Sequence, residues 1–342
     1  MRVATYYSNH DIRINEAPRP KIGPGELLIR VEAAGICGSD VMGWYRLNRV
    51  PLVLGHEIAG TIEEVGDGLK GYKKGDRVSC SHHVPCGRCH YCLRGHQTVC
   101  ETLRTTNFDP GGFSEYLRLP KINVDYGVYP LPDSVSFEEA TFIEPLACVL
   151  RGQRLAGFKN GQSVLVLGSG IAGLLHICLA RVSGASLIVA TDISDYRLKQ
   201  AKRFGADRAL FAKEYSPDAI RKLNQGRLAD LVIVSTGSIS AITAALKSVE
   251  RGGTILFFAP TDKELEVPIP FNEMFWRTEI TLTSSYAGSA GDYQEALGLI
   301  SSGKMKVRDL ITHRLSLAEI GLGFQLVAQA QDSIKVIIYP QK

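Results

Sequence analysis

Short stretches in which β-branched or other apolar residues alternate with polar ones fill the first 146 positions of the chain. Examples are GELLIRVEAAG, HEIAGTIEEVG, GDRVSCS and SEYLRLP, each bounded by glycine or other turn residues. Alternation with a period of two is typical of strands that bury one face, and frequent turn residues favour antiparallel connections. We therefore predict an antiparallel, barrel-like domain in this part of the chain.

The pattern changes near residue 148. Continuous apolar strands such as SVLVLG (163–168) and SLIVATD (186–192) alternate with helical segments such as IAGLLHICLARVSG and DYRLKQAKRFGA, and EITLTSSY (279–286) is a predicted sixth strand. Buried strands that alternate with helices predict a doubly wound parallel sheet. The last strand, SIKVIIYP, has no partner pattern nearby, so we expect it to return to the first domain.

Composition narrows the class of protein. A chain of 342 residues accommodates two domains, and 45% hydrophobic with 22% charged residues is typical of a globular protein. The net charge is only +4, and the chain has no run of five basic residues. Both observations argue against nucleic acid as a partner. Neither a secretory signal nor an apolar run long enough for a bilayer is visible, so we expect a cytoplasmic protein without membrane partners.

Four cysteines lie close together in the run PCGRCHYCLRGHQTVC. Their spacing, C-x2-C-x2-C-x7-C, joins Cys86, Cys89, Cys92 and Cys100. In a reducing cytoplasm such thiols are not expected to form disulfides. The spacing predicts a structural zinc site whose four positions are all filled by sulfur, which leaves none open for chemistry.

A glycine-rich turn follows the first parallel strand. Gly168, Gly170 and Gly173 form G-x-G-x-x-G between a predicted strand and a predicted helix, which is the context of a dinucleotide pyrophosphate site. The second strand ends at Asp192, where a carboxylate would bind the ribose 2′-hydroxyl and repel a 2′-phosphate, so NAD is favoured over NADP. The predicted cofactor-binding residues are Gly168, Gly170, Ile171, Ala172, Gly173, Asp192 and Arg197, the last to stack on adenine or to help bind a phosphate.

A second group of candidate metal ligands is scattered along the chain. It comes from the segments GICGSD (35–40), GHE (55–57) and EPLAC (144–148). One cysteine, one histidine and one carboxylate make a three-ligand zinc set with a fourth position open, where zinc lowers the pKa of a bound hydroxyl. The alternatives are a core thiol, a hydrogen-bonded histidine and a carboxylate at a helix start.

These motifs together resemble the zinc-containing medium-chain dehydrogenase/reductase family, which comprises alcohol, polyol and threonine dehydrogenases. The similarity includes GHEIAGTIEEVGDGL, KKGDRV (73–78), GICGSD, the four cysteines, GSGIAG and EPLA, in the same order over essentially the whole chain. It implies an α/β protein with a GroES-like catalytic domain from 1–147 and 287–342, which carries the structural zinc lobe at 86–100. A Rossmann domain that binds NAD would then span 148–286.

The resemblance also implies roles for individual residues. Cys37 and His56 would bind a catalytic zinc, together with Glu57 or Glu144, of which either could bind directly or through water. Asp40 would orient the ligand histidine, and Ser39 would hydrogen-bond the substrate oxygen and begin a proton relay. Two zinc ions per chain are therefore expected, one catalytic and one structural.

One departure from the family pattern bears on the substrate. Met42 stands where the polyol and threonine branches usually have a histidine, which counts against threonine oxidation and against a standard sorbitol site. Trp44 and Tyr45 either line a substrate pocket or pack at the domain edge. His82 and His83, which precede the cysteine cluster, are interpreted as supporting or surface residues.

The function expected from the resemblance is NAD-linked, zinc-dependent oxidation of a secondary alcohol, on a polyol, sugar alcohol or cyclitol. The alternatives are an L-threonine 3-dehydrogenase-like enzyme, a simple secondary-alcohol dehydrogenase, and a zinc-stabilised nucleotide-binding protein without turnover. A homodimer or homotetramer is expected, with the segment TEITLT at a contact edge.

Overall fold

The structure, a computed structural model, describes residues 1–342. The chain divides into two compact units, one formed by Met1–Ala147 with Ala287–Lys342 and the other by Cys148–Tyr286. None of its helices combines the length and the apolar character needed to cross a bilayer.

Sixteen strands and thirteen α-helices make up the fold. The strands are β1 Arg2–Ser8, β2 Asp11–Glu16, β3 Leu27–Gly35, β4 Leu52–Val53, β5 Glu57–Val65, β6 Arg77–Cys80, β7 Tyr116–Leu119, β8 Val128–Pro130, β9 Ser163–Leu167, β10 Leu187–Asp192, β11 Arg208–Phe211, β12 Ala229–Val234, β13 Val249–Phe257, β14 Thr281–Ser284, β15 Ile311–Ser316 and β16 Lys335–Tyr339. The helices are α1 Gly43–Arg46, α2 His90–Leu93, α3 Glu101–Thr105, α4 Lys121–Tyr126, α5 Phe137–Ala140, α6 Ile143–Leu155, α7 Ile171–Val182, α8 Asp195–Arg203, α9 Pro217–Leu223, α10 Ile239–Leu246, α11 Phe271–Phe275, α12 Ala290–Ser301 and α13 Ile320–Gln329.

The first unit is built on a mainly antiparallel sheet. Its strand order is β15-β16-β3-β5-β6-β8, with β7 also paired to β3, and a smaller sheet has the order β2-β1-β4. Its core is a cluster of buried apolar side chains, in which Phe324 of α13 contacts the rings of Tyr6 and Phe113 at centroid distances of 5.6 and 5.8 Å. The chain-terminal strand β16 pairs antiparallel with β3, through Ile337 and Gly35, and so lies inside this unit.

The second unit is a six-stranded parallel sheet in the order β11-β10-β9-β12-β13-β14. Counted from β9, this is the order 3-2-1-4-5-6 of dinucleotide-binding folds. All five residues of β9 are buried, as expected for a central strand covered on both faces. The predicted combination of a GroES-like β-rich domain and a Rossmann sheet is confirmed, although the sixth strand is shorter than its sequence pattern indicated.

Candidate active site and dinucleotide site

Cys37 lies two residues beyond the end of β3, at the start of a short 3-10 helix formed by Gly38–Val41. Its backbone N–H donates to Asp40 Oδ2 at 3.0 Å, and its Sγ accepts from the backbone N–H of Ser39 at 3.4 Å. These reciprocal bonds form a capping box, which fixes the orientation of the thiol at the end of the strand.

His56 immediately precedes β5 and faces the same carboxylate. Its Nδ1 lies 3.4 Å from Oδ1 of Asp40, which is fully buried. Burial lowers the pKa of His56, but the Asp40 carboxylate and the Cys37 sulfur outweigh it and raise that pKa well above its ordinary value. The surroundings of His56 therefore favour positive charge, which a metal cation can supply in place of the proton.

The sulfur of Cys37, a ring nitrogen of His56 and a carboxylate oxygen of Glu57 all lie within 4.8 Å of one another. Zinc bonds of about 2.0–2.3 Å place tetrahedral ligand atoms roughly 3.3–3.8 Å apart, so a small inward movement would complete a zinc site. This donor set fits zinc and leaves one tetrahedral position for a substrate oxygen.

Glu57 has a cationic neighbour that the sequence analysis missed. Its Oε2 accepts a short hydrogen bond from Nζ of Lys335, and both side chains are almost fully buried. Lys335 begins β16, Glu57 begins β5, and β3 runs between these strands with Gly35 at its end. A Cβ at Gly35 would lie 2.3 Å from the Glu57 carboxylate and 2.7 Å from Cε of Lys335, so only glycine leaves room for the pair.

Glu144, the other candidate carboxylate, is buried near the start of α6. It does not belong to the group whose ligand atoms all lie within 4.8 Å. The structure therefore brings Glu57, and not Glu144, into the compact set with Cys37 and His56.

Ser39 and a second missed residue, Arg46, complete the surroundings. The Ser39 hydroxyl lies 3.4 Å from the Cys37 sulfur, and Nη2 of Arg46 donates to the same hydroxyl at 3.2 Å. Arg46 also donates from Nε to the Ser39 carbonyl at 2.9 Å and lies 3.4 Å from Asp40. The guanidinium is thus anchored beside the Ser39 hydroxyl, which the resemblance implies would hydrogen-bond the substrate oxygen.

The side chains that follow this segment differ in exposure. Trp44 is 46% exposed, whereas Met42 and Tyr45 are partly buried. Arg46 lies over the Tyr45 ring at 4.5 Å, and Arg49 lies over it at 5.5 Å. The Tyr45 ring therefore contacts two arginines, and these cation–π contacts help to hold both guanidinium groups in place.

The four clustered cysteines meet in one compact lobe. Their sulfur atoms all lie within 4.8 Å of one another, with 3.5 Å between Cys89 and Cys92 and 3.7 Å between Cys86 and Cys100. Zinc–sulfur bonds of about 2.3 Å place tetrahedral sulfur atoms roughly 3.8 Å apart. Burial raises the pKa of Cys100, but backbone N–H groups of Cys86 and Leu103 outweigh it and lower that pKa to about 6, which favours a thiolate ligand. The lobe fits a structural zinc ion.

The glycine-rich turn joins β9 to α7. Gly168 has a φ of +92°, and a Cβ at Gly173 would lie 2.0 Å from the Gly168 carbonyl oxygen, so both positions require glycine. Gly170 is the N-cap of α7 and has no side chain to cap the helix, whose first residues are Ile171 and Ala172. The free N–H groups at this helix end fit the pyrophosphate of a dinucleotide.

Asp192 ends β10 next to this turn. Its two carboxylate oxygens accept from the backbone N–H groups of Ser169, at 2.7 Å, and Ser194, at 2.9 Å. Each oxygen keeps a lone pair, so the carboxylate can also accept from ribose hydroxyls. The Arg197 guanidinium carbon lies 3.9 Å from the place of a Cβ on Gly170, and its Nε is buried without a hydrogen bond. The arrangement fits a dinucleotide, with a cation close to the turn.

Two family models match the chain. The alcohol dehydrogenase GroES-like domain matches residues 23–133, and the zinc-binding dehydrogenase model matches residues 172–302. The first of these ranges contains both groups of candidate metal ligands except Glu144.

Curated relatives match over nearly the whole chain. A sorbitol dehydrogenase from Bacillus subtilis (strain 168) is 31% identical and covers 100% of this chain and 98% of its own. A probable D-xylulose reductase A from Aspergillus clavatus is 34% identical, over 96% of this chain and 94% of its own.

Solved structures show the same fold with bound dinucleotides. A zinc-binding dehydrogenase from Sinorhizobium meliloti 1021 bound to NADP has a TM-score of 0.87 and 26% identity, covering 99% of each chain. A structure described as a short chain alcohol dehydrogenase from Escherichia coli CFT073, complexed with NADH, has a TM-score of 0.89 and 26% identity, again over 99% of each chain.

The two metal-ligand sets predict different effects of removing a thiol. We expect Cys37→Ala and Cys92→Ala each to reduce the zinc content from two ions per chain to one, measured by atomic emission. Only Cys92→Ala should also lower the unfolding midpoint clearly, because structural zinc contributes folding free energy.

Cys178→Ala is the matched control, since this thiol of α7 belongs to neither set and donates to the Phe204 carbonyl oxygen. It should keep both zinc ions. A Cys37→Ala protein that retains two zinc ions would refute the assignment of Cys37.

The buried Lys335–Glu57 pair predicts a metal-dependent stability change. Lys335→Met should lower the free energy of unfolding by about 3–5 kcal/mol in zinc-free protein, because Glu57 is left buried without a partner. The loss should be smaller in zinc-loaded protein, where the carboxylate gains the metal. Urea unfolding with and without a chelator measures both values.

Lys121→Met serves as the control for that comparison. Lys121 pairs with Asp125 on the exposed face of α4, where an ion pair contributes at most about 1 kcal/mol. Equal losses for Lys335→Met in the two metal states would show that Glu57 does not reach the ion.

Proposed function

The chain belongs to the family of zinc-binding dehydrogenases with an alcohol dehydrogenase GroES-like domain, and on that premise we propose that it oxidises a secondary alcohol with NAD. In this reaction the alcohol loses a hydride to the nicotinamide and a proton to the protein, giving a ketone and NADH. The substrate class that we propose is a polyol, sugar alcohol or cyclitol.

The observation that carries this proposal is the three-ligand set of Cys37, His56 and Glu57 beside the hydroxyl of Ser39. A zinc ion held by these residues would lower the pKa of a substrate hydroxyl and make its carbon a better hydride donor. An incomplete ligand set with a polar side chain at its edge is typical of a catalytic site, whereas the all-cysteine lobe is typical of a structural site.

The protein's own groups would orient the substrate and receive its proton. Ser39 can accept a hydrogen bond from the reacting hydroxyl, while Arg46, which donates to the Ser39 oxygen, places a positive charge beside the substrate oxygen as that oxygen loses its proton. Asp40 holds His56 through Nδ1 and thereby orients the ring for metal binding. Because Met42 replaces the usual histidine, the relay from Ser39 continues through water, a carboxylate or the cofactor ribose.

Three further features belong to the proposal. The assembly is a homodimer or homotetramer, in which the edge strand β14 is a contact, since it pairs only with β13. The zinc content is two ions per chain, which the two ligand sets support. The protein acts in the cytoplasm, which is consistent with eight cysteines of which none forms a disulfide.

The names of the relatives favour polyols over other alcohols. Sorbitol dehydrogenase and D-xylulose reductase are names for enzymes of sugar alcohols and their ketoses. The second candidate is a simple secondary-alcohol dehydrogenase, which the partly exposed Trp44 and the thioether of Met42 near the site would suit.

A substrate panel tests this choice. Hexitols, pentitols, inositols, simple secondary alcohols and L-threonine are each offered with NAD, and NADH is measured by its absorbance. We expect the highest kcat/KM for a polyol, because its several hydroxyls match the polar side chains around Ser39. Cys37→Ala protein is the blank for metal-independent turnover. Turnover confined to simple alcohols or to threonine would contradict the polyol assignment.

The Asp192 carboxylate predicts the choice of cofactor. The unchanged protein should have a lower KM for NAD than for NADP, because a 2′-phosphate would meet the negative charge of Asp192. Asp192→Asn should bring the kcat/KM values for NAD and NADP closer together, mainly by raising the value for NADP. A lower KM for NADP in the unchanged protein would contradict the proposal.

A further inference from the structure

His82 lies next to the candidate metal site as a result of strand register. β5 and β6 are antiparallel, and Ile58 pairs with Cys80 at the end of their ladder. His56 lies two residues before Ile58, and His82 lies two residues after Cys80. The two histidines therefore face each other, with ring centroids 4.8 Å apart. The histidine that precedes β5 and the histidine that follows β6 are therefore neighbours by backbone geometry.

The position of His82 is held by its backbone and not by its ring. Nδ2 of the fully buried Asn123 donates to the carbonyl oxygens of Ser81, at 3.0 Å, and His82, at 2.8 Å. The backbone N–H of Ser81 donates to the Gly127 carbonyl at 2.8 Å. This anchoring fixes the backbone of His82, while its ring packs against the rings of His56 and His83 and its two nitrogens stay uncommitted.

Neither ring nitrogen of His82 has a partner in the protein. Nδ1 is buried without a hydrogen bond, and Nε2 makes none although it is not enclosed. The neighbouring ring of His83, 3.8 Å away, differs, since its Nδ1 donates to the Thr106 carbonyl at 2.9 Å. A buried polar atom without a partner destabilises a protein, and a phenylalanine at this position would avoid that cost.

The ring of His82 has two nitrogens that can pair with a polar group of a ligand. Between them, the nitrogens of an imidazole can offer one N–H donor and one lone pair. A hydroxyl group, which both donates and accepts, can pair with either nitrogen.

His82 does not complete the metal site. Its nitrogens are not among the ligand atoms of Cys37, His56 and Glu57 that lie within 4.8 Å of one another. The ring of His82 lies beside that of His56 and is tilted against the ring of Phe108, at a centroid distance of 6.0 Å. A substrate whose reacting hydroxyl is bound next to His56 brings its neighbouring carbons, and the hydroxyls on them, towards the ring of His82.

We propose that His82 hydrogen-bonds a second hydroxyl of the substrate, on the carbon adjacent to the one that is oxidised, and thereby selects vicinal diols and polyols over simple secondary alcohols. This proposal rests on the proposed function. Met42 stands where the polyol and threonine branches usually have a histidine. His82 would then supply a polar contact for the substrate from a different position.

The test compares substrates that differ by one hydroxyl, the stereoisomers of 2,3-butanediol and the enantiomers of 2-butanol. His82→Phe keeps an aromatic ring for packing but removes both nitrogens. It should lower kcat/KM for the preferred diol about tenfold or more and change that for 2-butanol less than about threefold, because only the diol loses a hydrogen bond. His82→Asn, which keeps a donor and an acceptor, should restore part of the selectivity.

Two measurements besides turnover accompany these rates. Calorimetric titration of NADH-saturated protein with the diol, which cannot react in that complex, should show weaker binding to His82→Phe by a similar factor. Zinc content should stay at the value of the unchanged protein. His90→Phe, a change of the same kind at an exposed position of the cysteine lobe, should alter none of these values.

The outcomes separate this proposal from the one it rests on. If the unchanged enzyme oxidises diols and His82→Phe lowers kcat/KM for the diol and for 2-butanol by the same factor, His82 only supports the site and the proposal is overturned. If the unchanged enzyme oxidises no diol or polyol, the proposed function itself fails. A selective loss on the diol supports both.

Discussion

The buried ion pair of Glu57 and Lys335 is the constraint around which the candidate active site is arranged. Two opposite charges are held away from water at the point where β16, β3 and β5 lie side by side. Such a pair is stable only with close geometry and full hydrogen bonding, so it ties the last strand of the chain to the strands that carry the metal ligands. Gly35 makes the contact possible because any side chain there would occupy the same space.

The same principle applies to the other carboxylate of the site. Asp40 is fully buried and faces three positive or donor groups: the ring of His56, the guanidinium of Arg46 and the backbone N–H of Cys37. Each acidic group at the site thus has a cationic neighbour of its own. A bound zinc ion would add to this balance and would compete with Lys335 for Glu57, so metal binding and the ion pair are energetically linked.

Much of the architecture could be predicted from local pattern. The buried strands and helices of residues 148–286 have strong periodicity, and β9 and β10 begin and end within one residue of their predicted bounds. The GroES-like and Rossmann classes were correctly identified from motifs in their order along the chain. The candidate residues Lys335, Arg46 and His82 were missed or undervalued. A lysine inside the apolar run SIKVIIYP was a signal of a buried charge, but its partner lies 278 residues away.

The sequence by itself determined what depends on short spacing: the four-cysteine lobe, the glycine turn of the dinucleotide site, and the alternation that specifies each sheet. Only the tertiary structure decided which scattered groups meet. It selected Glu57 over Glu144 for the compact ligand set, paired Glu57 with Lys335, and placed His82 beside His56. The physical reason is that these contacts depend on the register of neighbouring strands, and a shift of one residue would turn each side chain to the opposite face of the sheet.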